Sequence, residues 1–435
     1  MIFDSIEAIS ADERAGIQTS RLRTLVDRLL SVDGGVQGHR LRGAGLESGA
    51  DLTLDDLPNL PVVTKPDLWE AYPFEMLAVP IEQCVTVHGS SGTSGRPTLV
   101  AYTAADLDIW AGVVARSLVG AGASPRSMIH NAYGYGLFTG GLGIHYGARA
   151  LGATVVPMSG GQTTRQLRLI QDLKPDVLTC TPSYAIYLGE AARADGIDPA
   201  SLSLKVGIHG AEPWTDSMRG QIEELLGIRA LDIYGLSEII GPGVACETLD
   251  SDGWLHVQED HFLVEALDPA TGRPVPDGEL GELTFTTLTK EALPLLRYRT
   301  GDLARLDRSP STERTTVKMS KVVGRADDML IVRGVNIYPS EIEAVVLADE
   351  AVGPQYVIVV DQTSALARMV VCCEPRSSTV DPAALRHRLV DALGRRLGLT
   401  CEVIIAEPGS LPRTEVGKAQ RLIRWQEGPA PVPGL

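Results

Sequence analysis

The stretch CVTVHGSSGTSGRPTLVAY, residues 84–102, decides the fold, because it places a loop rich in glycine and hydroxyl groups between two strand-like segments. Glycines let the backbone turn and approach a ligand closely, and hydroxyls and free N–H groups donate to anionic oxygens. Arg96-Pro97 stands where a Walker loop would have its lysine, so the stretch predicts a phosphate-binding loop of another kind. Taken alone, a flexible hairpin turn is the alternative.

Strand-like and helix-like segments alternate from this loop to about residue 240, which predicts a largely parallel sheet covered by helices. The predicted strands cover residues 84–87, 98–102, 127–132, 177–180, 205–209 and 230–234. One predicted helix begins at Thr103, and others cover residues 163–174 and 215–227. Ligands of such sheets bind at the carboxyl ends of the strands, so the loops there are the first places to look for a site.

The pattern changes twice beyond this region. Short alternating segments between about residues 250 and 320 predict a small antiparallel region. From about residue 327, helices at 339–347 and 382–397 and strands at 356–360, 369–373 and 401–406 predict an α+β unit. We therefore expect an α/β fold with a large domain over residues 1–326, of mainly parallel sheet with a small antiparallel subdomain. A small, mobile α+β domain over residues 327–435 completes it.

Composition excludes several classes of protein. A chain of 435 residues needs more than one core. Its net charge of −16 argues against a nucleic-acid partner or an anionic membrane surface. No apolar run reaches about 18 residues, and the first residues lack the regions of a signal peptide. Six cysteines form no dense disulfide framework, so we expect reduced thiols and a cytoplasmic enzyme.

Polar side chains follow two of the predicted strands, in the segments GAEP at 210–213 and DIYGLSE at 232–238. Glu238 offers carboxylate oxygens to Mg²⁺, Tyr234 a flat face to a purine, and Ser237 a hydroxyl to a phosphate. Further along, Asp302 has the capacity to accept two hydrogen bonds from ribose hydroxyls. Each feature has an ordinary alternative: packing for the tyrosine, and a solvated loop or turn for the carboxylates.

Two late segments bear on domain movement. Residues 323–328, VGRADD, lie at the expected domain boundary and suit a hinge, in which few residues absorb a large backbone rotation. The segment could also be a plain linker. Lys418 lies in a glycine-containing loop near the C-terminus, where most lysines are solvated surface charges.

Together these motifs resemble the adenylate-forming superfamily of acyl-CoA synthetases, adenylation domains and luciferases, and more finely its phenylacetate-CoA ligase branch. The resemblance covers about residues 60–421. The motifs that carry it, in chain order, are SSGTSGRP at 90–97, YGLSE at 234–238, YRTGD at 298–302, GRADD at 324–328 and GK at 417–418. The branch is indicated by AYGYGLFTGG at 132–141, SGGQ at 159–162, GAEPW at 210–214, GPGV at 241–244 and EDHF at 259–262.

The resemblance implies a reaction in two steps. A carboxylate attacks the α-phosphorus of ATP to give acyl-AMP and pyrophosphate, and a thiol, usually that of coenzyme A, then displaces AMP to give a thioester. The nucleotide site that it implies has Ser90, Ser91, Gly92, Thr93, Ser94 and Gly95 at the β- and γ-phosphates, Glu212, Pro213 and Tyr234 at the adenine, Asp302 at the ribose, Ser237 at a phosphate, Arg325 beside the hinge, and Asp232 and Gly235 in the same site.

The resemblance also implies three catalytic residues. Glu238 would hold Mg²⁺, Asp327 would be the pivot of the hinge, and Lys418 would bridge the substrate carboxylate and the α-phosphate. The chemistry agrees, since an anion that approaches a triphosphate needs positive charge to neutralise the phosphoryl oxygens. A separate small domain could swing Lys418 away after adenylation, and the face around Gly334 would then admit the thiol.

Two departures from the superfamily stand out. Arg96 occupies a position where lysine is frequent, which keeps the charge. Many relatives bind a structural zinc, but the segment SPSTER at 309–314 lacks the cysteines that the site needs. Cys246, His256 and His261 would lack a fourth ligand, so we expect no structural zinc.

The aromatic residues indicate which carboxylic acid is the substrate. The chain holds only 11 tyrosines, 5 phenylalanines and 5 tryptophans, yet three aromatic side chains fall within residues 133–138. Rings pack on rings, so an aryl or arylacetic acid is the expected substrate, although core packing explains the cluster almost as well. The expected acyl-pocket residues are Tyr133, Tyr135, Phe138, Gly210 and Ala211.

Two alternatives stay open at this point. The enzyme could load the acyl group onto the phosphopantetheine of a carrier protein instead of coenzyme A. The second alternative is a non-catalytic regulator that binds a nucleotide. The presence of Lys418 and Glu238 argues against this alternative. A homodimer is also possible on these grounds.

Overall fold

The computed structural model describes residues 1–90, 97–309, 313–326, 330–332, 335–362, 368–399, 401–412 and 421–435, with the backbone alone at residues 331, 332, 335, 336 and 340. The helices are α1 (Ala11–Ser31), α2 (Val36–Gly43), α3 (Lys65–Glu70), α4 (Ala104–Gly120), α5 (Thr139–Leu151), α6 (Thr163–Leu173), α7 (Pro182–Ala194), α8 (Asp216–Leu226), α9 (Pro339–Val346) and α10 (Pro382–Leu397).

The strands, in chain order, are β1 (Thr86–Gly89), β2 (Leu99–Tyr102), β3 (Met128–Asn131), β4 (Thr154–Pro157), β5 (Val177–Cys180), β6 (Val206–Gly210), β7 (Arg229–Leu236), β8 (Gly241–Glu247), β9 (Leu255–Val257), β10 (Phe262–Leu267), β11 (Leu280–Thr287), β12 (Tyr298–Asp307), β13 (Lys318–Met319), β14 (Gly324–Arg325), β15 (Leu330–Val332), β16 (Val335–Ile337), β17 (Val352–Asp361), β18 (Arg368–Pro375), β19 (Glu402–Ile405) and β20 (Leu422–Trp425).

The main sheet has the strand order β10-β11-β12-β13-β9-β8-β7-β6-β5-β3-β4, with β14 paired to β12. Its strands β4, β3, β5, β6 and β7 run parallel, which confirms the predicted α/β character. From β8 onward the pairing is antiparallel. The predicted antiparallel region is therefore a continuation of the same sheet, and β1 and β2 form a separate antiparallel pair.

Local sequence explains where the helices of this sheet begin and end. Helix α8 starts after Thr215, whose side chain accepts a hydrogen bond from the backbone N–H of Met218, and it ends at Gly227 with a φ of 67°. Its apolar face, which includes Met218 and Ile222, is buried. The predicted helix over residues 215–227 is thus confirmed with both of its caps.

Helix α5 is not among the elements expected from sequence, because four glycines lower its helix propensity. The structure shows why they are there. A Cβ on Gly143 would lie 2.6 Å from the Trp110 ring, and one on Gly147 would lie 2.3 Å from Val114. Glycine therefore lets α5 pack closely on α4, and this close packing outweighs the propensity.

The last part of the chain forms a four-stranded sheet of order β19-β18-β17-β20 with helices α9 and α10. Strands β17 and β18 are antiparallel, whereas β20 joins β17 in parallel and β19 joins β18 in parallel. The predicted α+β character is confirmed, and α10 has the predicted bounds. A cluster of buried apolar side chains runs from the α7–α8 layer into this unit.

Candidate functional site

The carboxyl ends of β6 and β7 lie side by side, because the strands pair in parallel with Gly210 opposite Ile233. The chain turns sharply after β6. A Cβ on Gly210 would lie 2.1 Å from the carbonyl oxygen of Ile233, so glycine is required there. Ala211 follows with a φ of 73°, in the left-handed region that L-residues rarely adopt. The GAEP segment is thereby held at the sheet edge where the second segment, YGLSE, begins.

Glu212 is fixed by a neighbouring helix. Its Oε1 accepts a hydrogen bond from the backbone N–H of Ser183, with an N–O distance of 2.7 Å. Ser183 lies in the first turn of α7, where negative charge interacts favourably with the helix dipole. Pro213, the next residue, is exposed. The structure thus places Glu212 and Pro213, two of the three predicted adenine-site residues, at the edge of the sheet, and their role stays a prediction.

Tyr234, Asp302 and Arg325 form one hydrogen-bonded group. The Tyr234 hydroxyl donates to Asp302 Oδ2 at 2.8 Å, and Arg325 Nη1 donates to Asp302 Oδ1 at 2.8 Å. Asp302 lies opposite Arg325 because β12 and β14 pair there. Burial, and then the Asp302 carboxylate, hold the pKa of Tyr234 well above its ordinary value, so the phenol keeps its proton. Three residues expected at one nucleotide site are therefore in contact.

Glu238 ends the YGLSE segment, and its carboxylate is buried beside a cation. Lys65 Nζ lies 3.8 Å from Glu238 Oε1. Ser237 Oγ lies 3.1 Å from Thr139 Oγ1 at the start of α5. The end of β7 needs glycine at position 235, since a Cβ there would lie 1.9 Å from the carbonyl oxygen of Gly241 at the start of β8. The carboxylate oxygens of Glu238 are of the kind that Mg²⁺ prefers as ligands.

The aromatic segment divides into a buried and a half-buried part. Tyr133 is buried, and a Cβ on Gly140 would meet both its ring and that of Phe138. Burial, with smaller effects of Cys180 and Asp232, holds the pKa of Tyr133 well above its ordinary value. The hydroxyl of the half-buried Tyr135 accepts a hydrogen bond from Asn131 Nδ2 at 2.8 Å.

The predicted acyl-pocket residues therefore share one region, although they do not form a single contact group. The Gly210 backbone faces the Tyr133 hydroxyl and opposes the rise in its pKa. Tyr133 and Phe138 approach each other at Gly140, whereas Tyr135 turns toward Asn131 and His145. Their role as an acyl pocket stays a prediction.

Asp232 is buried beside a second carboxylate. Burial, and then the charge of Glu247, raise the pKa of Asp232 to about 7. Glu247 itself is held by Arg219, with N–O distances of 3.0 and 2.8 Å, and accepts a bond from the Asp232 backbone N–H. The carboxyl of Asp232 thus changes its charge near neutral pH.

Replacement of Asp232 by asparagine is expected to stabilise the protein more at pH 8 than at pH 5. The native Asp232 binds its proton more tightly than the unfolded one, so its contribution to the free energy of unfolding falls as pH rises toward about 7. The variant has no such loss, so at pH 8 its free energy of unfolding should exceed that of the wild type by on the order of 1 kcal/mol or more. Denaturant unfolding at both pH values measures this difference, with Asp250→Asn in an exposed turn as the control. An equal effect of Asp232→Asn at both pH values would contradict the assignment.

Two lysines near the site were not predicted. Lys65 pairs with Glu238, and Lys290 Nζ donates to the Glu238 carbonyl oxygen at 3.0 Å. Burial lowers the pKa of Lys290 to about 8, which the charges of Asp106 and Glu238 oppose. Neither lysine belongs to a glycine-rich motif, and both lie more than 50 residues from Glu238 along the chain. The one sequence signal for Lys290 is its apolar surroundings in the segment LTKEALPLL at 288–296, which are unusual for a lysine.

Several predicted residues lie outside the described ranges: Ser91, Gly92, Thr93, Ser94, Gly95, Asp327 and Lys418. Ser90, at the start of the loop, is described. Its backbone N–H donates to the Thr98 carbonyl oxygen at 3.0 Å. Its hydroxyl is buried and has no hydrogen-bond partner among the described residues. A buried hydroxyl without a partner in the described part of the chain suits a residue that takes a ligand as its partner.

Metal-binding clusters and membrane-spanning helices are both absent from the described ranges. No group of three or more His, Cys, Asp or Glu side chains there is arranged to hold a metal ion. None of the helices in the described part of the chain combines the length and apolar character that crossing a bilayer requires.

Comparison with protein families matches residues 40–288 to the AMP-binding enzyme family and residues 334–424 to the AMP-binding enzyme C-terminal domain. A phenylacetate-coenzyme A ligase of Escherichia coli is 49% identical, over 96% of this chain and 96% of its own. One of Thermus thermophilus is 48% identical, over 96% of this chain and 98% of its own.

Solved structures add a comparison of conformations. 2-Hydroxyisobutyryl-CoA ligase in a postadenylation state, with 2-HIB-AMP bound, is 30% identical and matches with a TM-score of 0.89 over 97% of this chain and 91% of its own. The same ligase in the thioesterification state, with 2-HIB-AMP and CoA, matches with a TM-score of only 0.72 over 97% and 92%. The structure of this chain is thus more similar to the postadenylation state of that ligase than to its thioesterification state.

Proposed function

The chain belongs to the AMP-binding enzyme family, in its phenylacetate-CoA ligase branch, and from this premise we propose that it activates an aryl or arylacetic acid. It is an ATP-dependent acid–CoA ligase that works through an acyl-AMP intermediate. The observation that carries the assignment of its nucleotide site is the hydrogen-bonded contact of Asp302 with both Tyr234 and Arg325. Tyr234 would offer its ring to the adenine and Asp302 would accept from the ribose, and Glu238, four residues after Tyr234, would hold Mg²⁺.

The first step brings a carboxylate to a triphosphate, so positive charge has to be arranged around the α-phosphorus. Glu238 would hold Mg²⁺, which supplies charge neutralisation on the phosphate oxygens when bound. Its carboxylate oxygens fit that role, and the Lys65 ammonium, 3.8 Å from Oε1, would add positive charge beside the phosphates. Ser90 to Gly95 would hold the departing pyrophosphate, and Lys418 would orient the acid against the α-phosphate.

We assign the two steps to two arrangements of a large domain, residues 1–326, and a small domain, residues 327–435. Asp327 would be the pivot between them. The larger domain carries the nucleotide and acyl sites, and the smaller one carries Lys418. The two TM-scores with one ligase support a movement of this kind, since different states of that protein fit this chain to different degrees. After the movement, the face around Gly334 would admit the thiol.

The acyl acceptor of this acid–CoA ligase is coenzyme A, as in the curated relatives named for it. Transfer to a carrier protein as a further acceptor stays a proposal, and so does a homodimer. A cytoplasmic setting is supported by the cysteines of the described ranges, all of which are free thiols.

We also propose that the chain binds no structural zinc. Cys246 and His256 are cross-strand partners, but His256 Nδ1 lies 3.2 Å from Thr316 Oγ1. Burial, and then the charge of Arg314, lower the pKa of His256 to about 4. The positive charge of Arg314 disfavours a cation at His256, and Glu7 holds this guanidinium in place, with Oε2 2.8 Å from Arg314 Nε.

Exchange of labelled pyrophosphate into ATP, with a panel of carboxylic acids, tests the proposed function. We expect exchange with aryl and arylacetic acids at rates at least about tenfold above those with aliphatic acids, since a planar ring gains stacking contacts in an aromatic pocket. Addition of CoA should give the acyl-CoA thioester. Exchange without thioester formation would favour a carrier protein, and no exchange with any acid would favour a regulator and contradict the proposal.

A further inference from the structure

Beneath the YGLSE segment lie buried side chains that belong to none of the motifs and donate to its backbone. Lys290 Nζ donates to the carbonyl oxygen of Glu238 at 3.0 Å. The Tyr102 hydroxyl lies 3.2 Å from the carbonyl oxygen of Ser237 and 3.1 Å from that of Ile240, and it donates to this pair. We call Lys290 and Tyr102 the carbonyl clamp, because between them they engage three carbonyls around the proposed Mg²⁺ ligand.

The clamp is itself rigidly packed. Lys290 Nζ lies 4.8 Å from the centre of the Tyr102 ring, within the range of a cation–π interaction. The Tyr102 ring stacks on Trp110, with centroids 5.2 Å apart and planes 15° apart. Trp110 in turn donates to the carbonyl oxygen of Pro242 at 3.1 Å. Tyr102 of β2 and Lys290 of the loop before β12 therefore contact the backbone around Glu238, and Trp110 of α4 fixes the Tyr102 ring.

A buried ammonium is costly unless its surroundings compensate it. Lys290 is only 2% exposed, Tyr102 and Trp110 are fully buried, and the carboxylates of Asp106 and Glu238 attract the charge of Lys290. Asp106 is engaged elsewhere, as it accepts from the backbone N–H groups of Glu291 and Ala292. Among the described residues, the ammonium donates to the carbonyl oxygen of Glu238. Because burial of an ammonium is costly, this contact with the Glu238 peptide calls for a functional reason.

We propose that Lys290 is a positioning residue, which fixes the Glu238 peptide through its carbonyl and so aims the Glu238 carboxylate at Mg²⁺–ATP. The inference rests on the proposed function, because it takes Glu238 as the Mg²⁺ ligand. Groups that orient metal ligands are typically worth about 10- to 100-fold in metal affinity. Lys290 would then act through Glu238, without touching the nucleotide.

Calorimetric binding of ATP to the full chain, with and without Mg²⁺ and without any acid, tests this inference in the absence of turnover. In the wild type, Mg²⁺ should tighten ATP binding. In Lys290→Met that gain should fall by about tenfold or more, while the affinity for ATP alone stays unchanged. Lys290→Gln, which keeps a donor without the charge, should recover part of the gain. Lys318→Met removes a lysine that pairs with Asp307 on another part of the sheet, and should behave like the wild type.

Tyr102→Phe provides an independent test should Lys290→Met fail to fold, because it removes the two hydroxyl contacts and keeps the ring. Its Mg²⁺-dependent gain should fall several-fold. A full gain in Lys290→Met, or in Tyr102→Phe if only that variant folds, would overturn the inference and leave the proposed function in place. If the wild type bound ATP equally tightly with and without Mg²⁺, the assignment of Glu238 as the Mg²⁺ ligand would be overturned, and the inference with it.

Discussion

Replacement of Lys418 by alanine is expected to abolish adenylate formation and to spare thioester formation from preformed acyl-AMP. The first step joins two anions, and one ammonium aimed at the reacting oxygens is typically worth roughly 10²–10³-fold in rate. In the second step a thiol attacks the carbonyl carbon of acyl-AMP, so no anion has to approach a triphosphate and the step does not need the charge of Lys418. The proposed domain movement would in any case have carried that lysine away.

The two half-reactions are measured separately: pyrophosphate exchange for the first, and CoA thioester formation from a synthetic aryl-acetyl adenylate for the second. Lys174→Ala is the matched control, since Lys174 is an exposed lysine at the end of α6. It should leave both rates unchanged. Equal losses in the two half-reactions of Lys418→Ala would refute the assignment of Lys418 to adenylation alone.

Sequence patterns predicted the frame of the site well, because strand order and turn residues are local properties. The predicted strand at residues 177–180 and helix at residues 382–397 match the structure in full. The parallel pairing of β6 with β7 places GAEP and YGLSE at one edge, as the general rule for such sheets predicts. The family and the reaction class are likewise confirmed. The roles of individual site residues stay predictions.

Contacts between distant parts of the chain could not be predicted in the same way. The glycines of α5 weaken a helical pattern, and only its close approach to Trp110 and Val114 explains them. Lys65 and Lys290 reach Glu238 from segments with no motif of their own. Their importance depends on burial and on the direction of a backbone carbonyl, and neither has a local signature. The same is true of the raised pKa of Asp232, which needs Glu247 beside it.

Asp302→Asn is expected to raise the KM for ATP by roughly 10²-fold or more, because a charged hydrogen-bond partner that is lost costs about 1.5–3 kcal/mol and more than one bond is affected. Asp302 is proposed to accept from the ribose hydroxyls, and it also holds Tyr234 and Arg325, each at 2.8 Å. An asparagine offers one oxygen in place of two, so the ring proposed to stack on adenine loses its anchor together with the ribose.

Asp307→Asn is a matched control for this prediction on the same strand. Asp307 also lies on β12 and pairs with a cation, Lys318, at 2.8 Å, and its pKa is lowered to about 2 by side-chain hydrogen bonds with Lys318 and Ser309. It is partly exposed and belongs to no predicted site, so its loss should leave the KM for ATP unchanged. Steady-state kinetics at saturating acid and CoA compare the two variants. If they had the same KM for ATP, Asp302 would be one more ion-pair partner of the sheet, and the ribose site would have to be sought elsewhere.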